Sequence, residues 1–315
     1  MTKHELFNSL DNAKPARGPV HLAIGMFDGV HLGHKAVIGA AIEFARRDGG
    51  SAGVLTFFPH PSRLFTPSRA TELILTPEVK RWLLLDRLGA NFMIEEPFTA
   101  EFAAIPAGDF VSHLSARIPN LAGIYVGENW RFGHGRGGDA ALLKTLCESH
   151  GIRLFSAPRV STGGSPISST RIRVLIATGG IEQANTLLGY DYTSFGTVVA
   201  GRRLGRTIGF PTLNMPWEPE CRPALGVYEV RVSSAAGDER LPAVANYGLR
   251  PTIGDRQAPL LEAHLLVSSG LGEGDRLRVE WCRFERAEAR FPSVEALRVQ
   301  IVADRASAAA YFGLE

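Results

Sequence analysis

Residues 21–47 read HLAIGMFDGVHLGHKAVIGAAIEFARR, and this segment is the clearest indication of the fold class. His21–Phe27 is an apolar run typical of a buried strand. Gly33–Arg47 repeats apolar residues at helical spacing, with Val37 and Ala41 on one face. A strand that passes through a short loop into a helix indicates a parallel sheet if the same alternation continues along the chain.

The alternation does continue, to about residue 155. Further strands are predicted at Ser51–Phe58, Asn91–Ile94, Gly123–Val126 and Ile152–Phe155, and helices at Pro77–Leu88, Gly108–Arg117 and Ala140–Ser149. The N-terminal half is therefore predicted to be an α/β domain with a doubly wound parallel sheet.

The pattern changes after Ser168. One helix is predicted to run from there to about Ala177, and a second, Ile181–Leu188, stops at Gly189. Short β-rich segments follow at Ser194–Ala200, Gly226–Val232, Leu241–Tyr247, Leu260–Val267 and Asp275–Phe284, and then a closing helix at Ser293–Ala310. We predict two domains, residues 1–188 and 189–315, the second an antiparallel β-barrel with a terminal helix.

Composition excludes several classes of protein. The 315 residues carry 34 Lys plus Arg and 32 Asp plus Glu, a net charge of +2, which gives no global reason to bind nucleic acid or a membrane surface. The three cysteines form no CxxC pair, so a zinc site or disulfide framework is not expected. The first twenty residues hold no apolar run, and no segment approaches the roughly 20 apolar residues of a membrane span. We expect a cytoplasmic protein, monomeric or weakly homo-oligomeric.

The loop of residues 25–34 has the composition of a phosphate site. It contains Gly25, Phe27, Asp28, Gly29, His31, Gly33 and His34. Glycines let the backbone approach a ligand, and the helix that begins there offers free N–H groups and a positive dipole end. Two imidazoles three residues apart can face the same way and donate hydrogen bonds to phosphate oxygens as pyrophosphate leaves. The alternative is a histidine-containing turn that only caps the helix.

A second helix start, Ile167–Arg173 (ISSTRIR), also suits phosphate. Ser168, Ser169 and Thr170 supply hydroxyls, and Arg171 can pair with phosphate oxygens. The alternative is that this motif is an ordinary N-cap followed by surface arginines. Two strand ends, TFFPHP at 56–61 and VGENWRFG at 126–133, place aromatic residues where a planar ring could stack, although core aromatics are the simpler explanation of either alone.

The C-terminal half has its own candidate site in residues 201–214, GRRLGRTIGFPTLN. A loop rich in glycine and arginine can surround phosphates. Thr212 and Asn214 alternate on one side of an extended segment, and their oxygens suit Mg²⁺. Glu262 and His264 share one face of a later apolar strand, so Glu262 is either a solvent-facing residue or a general base.

The motifs GxFDGxHxGH, TFxPHP, VGxNxxFG, ISSTxIR, GRxxGFPTxN, GVY and NxGxRPT occur in this order from about residue 20 to about residue 305. In this the chain resembles the bacterial bifunctional riboflavin kinase/FAD synthetase family, whose N-terminal half is similar to HxGH nucleotidyltransferases. The resemblance implies two ATP- and Mg²⁺-dependent reactions. The C-terminal barrel would phosphorylate riboflavin to FMN, and the N-terminal domain would adenylylate FMN to FAD and release pyrophosphate.

The resemblance also implies roles for residues. Glu262, His31, His34 and Arg171 would be catalytic. ATP or phosphate would contact Gly25, Phe27, Asp28, Gly29, Gly33, Ser168, Ser169, Thr170, Gly201, Gly205, Arg206 and Thr212. The flavin would lie near Phe58, His60, Pro61 and Asn129, and Thr212 and Asn214 would hold Mg²⁺.

The chain departs from the family pattern after the Glu262 strand. Val267-Ser-Ser stands where the family has an acidic residue, and Gly272-Glu-Gly274 stands where it has an LYG-like segment. A synthetase with a weak or silent kinase is therefore one alternative. A non-catalytic flavin-binding regulator is disfavoured, because both sets of chemical residues are present. Adenylylation of another small molecule would leave the GFPTLN segment unexplained.

Overall fold

The computed structural model describes residues 4–15, 18–201, 209–251 and 257–314. The chain forms two compact units, Met1–Ser169 and Thr170–Glu315. Elements are labelled here in chain order among the described residues. Within that described part, no helix combines the length and the apolar character needed to cross a bilayer.

The first unit is built on a six-stranded parallel sheet of order β1-β4-β3-β2-β5-β6. Its strands are β1 (Glu5–Phe7), β2 (Val20–Ile24), β3 (Ser51–Phe58), β4 (Phe92–Pro97), β5 (Leu121–Gly127) and β6 (Arg153–Ala157). Its helices are α1 (Leu32–Arg47), α2 (Pro61–Phe65), α3 (Pro77–Trp82), α4 (Ala100–Ala103), α5 (Phe110–Arg117) and α6 (Ala140–Ser149). A two-stranded ribbon, β7 (Ser161–Thr162) and β8 (Ser165–Pro166), follows.

The centre of this sheet is buried on both faces. Every residue of β2 is buried, which explains why that strand reads as a continuous apolar run. The chain moves from β2 through β3 to β4 on one side and then returns to place β5 on the other side of β2. Ligands bind in open α/β sheets at such a reversal, outside the carboxyl ends of the strands. The loop that follows β2 is therefore in the position where a ligand site is expected.

The second unit begins with α7 (Ser169–Ala177) and α8 (Ile181–Leu188) and continues as an antiparallel sheet of order β10-β13-β12-β11-β14-β9. The strands are β9 (Tyr192–Thr197), β10 (Leu213–Pro216), β11 (Gly226–Ser234), β12 (Leu241–Pro251), β13 (Gln257–Leu265) and β14 (Arg276–Ala287), and the terminal helix is α9 (Val294–Tyr311). A bridge between Val199 and Asn214 links the two edges of this sheet, which curls into a half-barrel.

Two arginines of β14 fix the terminal helix to the barrel. Arg286 makes two hydrogen bonds, of 2.8 and 2.7 Å, with the buried carboxylate of Asp304 on α9. Arg283 pairs in the same two-pronged way with the fully buried Glu229 and also donates to Ser307 on α9. Such planar pairs are directional, so they fix how the helix lies on the sheet.

The fold class is confirmed, and most predicted elements lie within a few residues of the observed ones. Strands β1 and β10 were not predicted as strands, although the segment that holds Thr212 and Asn214 was expected to be extended. Helices α7 and α8 contact the second unit: Ala224 donates its N–H to the Ile176 carbonyl, and Asn185 donates to the Trp281 carbonyl. The domain boundary after residue 188 stays a prediction.

Candidate active sites

The loop between β2 and α1 is held in an unusual backbone conformation. Phe27 and Val30 have φ values of 47° and 41°, and both side chains are buried. A non-glycine residue in such a conformation costs on the order of 1–3 kcal/mol and persists only where its surroundings enforce it. Here the Asp28 carboxylate accepts the Ile74 N–H at 2.8 Å, and the Ser169 hydroxyl donates to the Asp28 carbonyl at 2.8 Å. The loop is therefore shaped in advance of any ligand.

The two histidines of the loop lie against each other. His31 is the N-cap of α1, and its Nδ1 accepts the backbone N–H of His34 at 3.3 Å. The two rings stack with centroids 3.6 Å apart and planes 16° apart, and Phe27 presents its ring to His34 in a T-shaped contact. The three-residue spacing on the first helical turn thus brings both imidazoles together at the carboxyl end of β2.

Burial keeps both imidazoles uncharged at neutral pH. It lowers the pKa of His31 to about 4. Burial, the neighbouring His31 and the positive charge of Lys80 together lower the pKa of His34 well below its ordinary value. Because His31 Nδ1 accepts a hydrogen bond, the neutral ring carries its proton on Nε2 and can donate it as a hydrogen bond.

One residue of the ISST segment, Ser169, is hydrogen-bonded to this loop. Ser169 donates to the loop, as given above, whereas Ser168 is exposed. Thr170 and Arg171 belong to the second unit; both are exposed on the first turn of α7. The sequence placed these residues in one phosphate site, and the structure shows the link through Ser169.

The predicted flavin residues lie at the ends of the strands that flank β2. Phe58 ends β3 and is 43% exposed, an unusual position for a large apolar ring. His60 caps α2, with its Nδ1 accepting the Ser62 N–H at 3.1 Å, and Pro61 is the first residue of that helix. Asn129 follows β5, is exposed, and donates to Glu128 at 3.3 Å.

In the second unit, Asn214 lies directly against the backbone of Gly201. A Cβ on Gly201 would be 2.7 Å from Asn214 Cγ, closer than real Cβ atoms come, so a larger residue there would displace the Asn214 side chain. The Asn214 amide nitrogen donates to the Thr212 carbonyl at 3.2 Å. Gly205 and Arg206, both predicted to line the nucleotide loop, lie outside the described residues.

A cleft of about 720 Å³ opens beside these residues. Its walls include Gly201, Thr212, Asn214 and His264, the segment Val267–Glu273 apart from Gly270, and Arg305 of α9. Glu262 is half-buried and lies directly across from Asn214 in the register of β10 and β13, so the two side chains share a face. His264 donates from Nδ1 to the Pro211 carbonyl at 2.8 Å, which fixes the turn leading into β10. Asn214 and Glu262 are therefore brought to one face of the half-barrel, although Glu262 is not among the residues that line the cleft.

Sequence reasoning missed Lys80, a buried lysine of α3 whose ammonium donates to Thr56 Oγ1 at 2.6 Å. Its charge acts on Asp28 and His34, both in the loop after β2. The signal was weak, because a lysine within a predicted helix is ordinarily a surface residue. Its apolar neighbours Val79 and Leu83 were the only hint.

Comparison with known proteins agrees with the two-site reading. The FAD synthetase family model matches residues 13–171, and the riboflavin kinase model matches residues 188–312. The chain belongs to the bifunctional riboflavin kinase/FMN adenylyltransferase family. An Escherichia coli K12 protein of that name is 38% identical over 301 residues, covering 95% of each chain. A Listeria monocytogenes protein of the same name is 34% identical, covering 92% of each chain.

A solved structure from Streptococcus pneumoniae, titled as a macrolide-efflux protein, superposes with a TM-score of 0.82 at 28% identity. It covers 96% of this chain and 97% of its own. The two-unit fold therefore recurs at full length in a solved protein. Family membership confirms the predicted family, the enzyme class and the pair of activities, riboflavin kinase and FMN adenylyltransferase.

Proposed function

We propose that residues 1–188 transfer the adenylyl group of ATP to FMN and that residues 189–315 phosphorylate riboflavin, with the residue roles described below. The observation that supports the first assignment most strongly is the stacked pair of uncharged histidines at the start of α1, where β2 ends. The second rests on the cleft that Thr212 and Asn214 line.

In the adenylyl transfer, a phosphate oxygen of FMN attacks the α-phosphorus of ATP. A new P–O bond forms there, the bond to the bridging oxygen breaks, and pyrophosphate leaves with the electron pair. We assign His31 the role of donating its Nε2–H to the phosphate oxygens, with His34 stacked behind it. The other proposed phosphate contacts come from the loop backbone at Phe27, Asp28, Gly29 and Gly33, the hydroxyls of Ser168 and Thr170, and Arg171. Gly25 and Ser169 are proposed to shape this site rather than to donate to phosphate, because the Gly25 N–H is donated to the Leu55 carbonyl and the Ser169 hydroxyl to the Asp28 carbonyl.

Phe58, His60, Pro61 and Asn129 are proposed to receive the flavin of FMN. The exposed ring of Phe58 offers a flat apolar face for stacking at the end of β3. His60 and Pro61 fix the path of the chain after that strand, because they form the N-cap and first residue of α2. Asn129 offers an exposed amide after β5.

In the kinase reaction, the terminal ribityl hydroxyl of riboflavin attacks the γ-phosphorus of ATP, and ADP leaves. Glu262 is assigned as the base that takes the hydroxyl proton. Gly201, Gly205 and Arg206 are assigned to the nucleotide phosphates. The position of Glu262 across from Asn214 supports the assignment, since base and nucleotide ligand share one face.

Mg²⁺ fits the donor set at Thr212 and Asn214. Because the Asn214 amide nitrogen is committed to the Thr212 carbonyl, its oxygen remains the group available as a ligand. Two neutral oxygens suit an ion that keeps waters and nucleotide phosphates as its other ligands. When bound, the ion would neutralise charge on the transferred phosphoryl group. Among the described residues there is no cluster of three or more His, Cys, Asp or Glu that would hold a metal by itself.

The remaining assignments are also proposals. We place the protein in the cytoplasm, as a monomer or weak homo-oligomer whose partners are riboflavin, FMN and ATP and not nucleic acid. A second candidate, a synthetase with a weakened kinase, is favoured by one observation: the departing segment at Val267–Gly274 forms part of the wall of the kinase cleft. Riboflavin turnover at saturating ATP distinguishes the two.

The double variant His31→Ala/His34→Ala tests the first assignment. We expect FAD formation from FMN and ATP to fall by roughly a hundredfold or more, since the proposed donors to the phosphates are removed. Conversion of riboflavin to FMN by the same preparation is the control and should be unchanged. Unchanged adenylyl transfer in the double variant would contradict the assignment.

A further inference from the structure

Lys80 is a buried cation beneath the adenylyl-transfer loop. It lies on α3 and is 8% exposed, although lysine is seldom buried unless its charge is compensated. The ammonium donates to Thr56 Oγ1 at 2.6 Å. Thr56 is fully buried in β3, the strand beside β2. A surface lysine that happened to fold inward would not be expected to find a polar partner in the middle of a strand.

A continuous set of hydrogen bonds runs from this ammonium to the loop. Thr56 Oγ1 accepts from Lys80 and donates to the Met26 carbonyl at 3.0 Å. Met26 lies between Gly25 and Phe27, the residue whose positive φ starts the unusual loop conformation. Lys80 therefore determines which way the Thr56 hydroxyl points, and that hydroxyl fixes the loop backbone.

The charge of Lys80 also acts on the loop. The groups that face it are Asp28 in the loop, Glu95 on β4 and His34 on α1. The two carboxylates favour the ammonium, and the ammonium disfavours a second positive charge on His34. Burial lowers the pKa of Lys80 to about 8, so the group is mostly charged at neutral pH.

The charge of Lys80 opposes an electrostatic effect of substrate binding. The phosphates of ATP and FMN bring several negative charges to the loop, and negative charge raises the pKa of a nearby histidine. Without an opposing charge, substrate binding would draw protons onto His31 and His34. A fixed ammonium whose charge acts on His34 would oppose that pull and keep the stacked pair neutral in the loaded site.

We propose that Lys80 is a positioning residue for adenylyl transfer, which fixes the loop through Thr56 and holds the His31–His34 pair uncharged while phosphates are bound. The inference rests on the proposed function of residues 1–188. Lys80 acts through Thr56 and His34.

The test compares Lys80→Met with Lys80→Arg, using Lys144→Met as the matched control. Lys144 is an exposed lysine of α6 in the same unit, so its replacement removes one positive charge from the surface and none from the interior. Each protein is assayed for FAD formation from FMN across pH. Far-UV circular dichroism with thermal unfolding checks that the unit holding Lys80 is folded, since riboflavin phosphorylation is assigned to the other unit. The wild-type adenylyl-transfer rate should fall as pH rises through about 8, where Lys80 loses its proton.

We expect Lys80→Met to lower kcat for FAD formation by about tenfold at neutral pH. Its pH profile should lack the fall in rate at alkaline pH. The acid limb of the profile should move to higher pH, because His34 then protonates more easily. Lys80→Arg should keep the acid limb in place and lose the alkaline fall, since guanidinium does not titrate in this range. Lys144→Met should match wild type. A uniform loss of rate in Lys80→Met with both limbs unmoved, or an alkaline fall that persists in Lys80→Arg, would overturn the proposal.

NMR titration of the histidine rings in the ligand-free chain gives a readout that needs no catalysis. Lys80→Met should raise the pKa of His34, whereas Lys80→Arg should not. If Lys80→Met does not fold, the alkaline limb of Lys80→Arg decides the matter. If the proposed function is wrong, FAD formation will survive in His31→Ala/His34→Ala. If only this inference is wrong, the pKa of His34 will be the same in Lys80→Met and wild type. The two failures are therefore distinguishable.

Discussion

The two sites of this chain are built in opposite ways. The first is a buried loop at the end of a central parallel strand, where hydrogen bonds from Ser169, Ile74 and Thr56 fix the backbone and burial sets the charge of the histidines. The second is an open cleft on a curled antiparallel sheet, where Asn214 lies against the bare backbone of Gly201. Burial and Lys80 set the charge of the histidines in the first site. In the second site, as proposed, charge would come from the nucleotide and from Mg²⁺.

Because of this difference, substitutions should impair the two sites in different ways. A charge change should damage the first site through pH behaviour, and a steric change should damage the second through nucleotide handling. Because one chain carries both activities, each serves as the control for the amount of protein and for damage confined to the other unit. The largest expected effect comes from removing a proposed ligand outright.

Asn214→Ala should lower riboflavin phosphorylation by roughly a hundredfold or more, because the proposed Mg²⁺ and phosphate ligand is lost. FAD formation from FMN should be unchanged. Steady-state rates of both reactions on one preparation measure this. An equal loss of both rates would show that the two sites are not separate, which contradicts the comparison.

Acid should destabilise the chain through His31. Its folded pKa of about 4 lies below the ordinary value of 6.5, so the unfolded chain binds more protons between these values. The contribution of His31 to the unfolding free energy, about 3 kcal/mol, should be fully present above about pH 6.5 and be lost as pH drops toward 4.

Denaturant unfolding at a series of pH values measures that slope. His31→Gln should reduce it, because the amide does not titrate, and His134→Gln, which changes a histidine outside the loop, is the control. An identical slope in His31→Gln and wild type would show that His31 is not held neutral by burial.

The smallest effect is expected from one added methyl group. Gly201→Ala should lower the kinase rate by about tenfold, since the new Cβ would displace the Asn214 side chain. Gly270→Ala is the matched control: its Cβ would meet nothing within 4 Å, in a loop beside the cleft. FAD formation should be unaffected by either variant. Equal kinase rates in the two variants would show that the Asn214 side chain does not require glycine at position 201.

Local patterns in the sequence were enough to predict the layered architecture. Apolar runs and helical spacing located β2, β3 and α1, and the motif between β2 and α1 located the loop. Spacing alone also put His31 and His34 on one helical turn. What the sequence could not show was long-range: the Ser169 hydroxyl reaching the Asp28 carbonyl, 141 residues away, follows only from the packed fold.

Charge and burial were equally out of reach. The sequence around Lys80 does not predict that its ammonium contacts Thr56, 24 residues earlier, inside the protein. The lowered pKa values of His31 and Lys80 come from that burial. In the second unit, the sequence indicated an extended segment at Thr212 and Asn214, whereas the pairing that puts Asn214 across from Glu262 follows only from the fold.

The central claim is that one chain holds two separate sites joined by FMN. The most direct measurement supplies riboflavin, ATP and Mg²⁺ and follows all three flavins over time in His31→Ala/His34→Ala, in Asn214→Ala and in their mixture. The account predicts that the first accumulates FMN, that the second leaves riboflavin unchanged, and that the mixture forms FAD. A mixture that forms no FAD, or a single variant that loses both reactions, would contradict it.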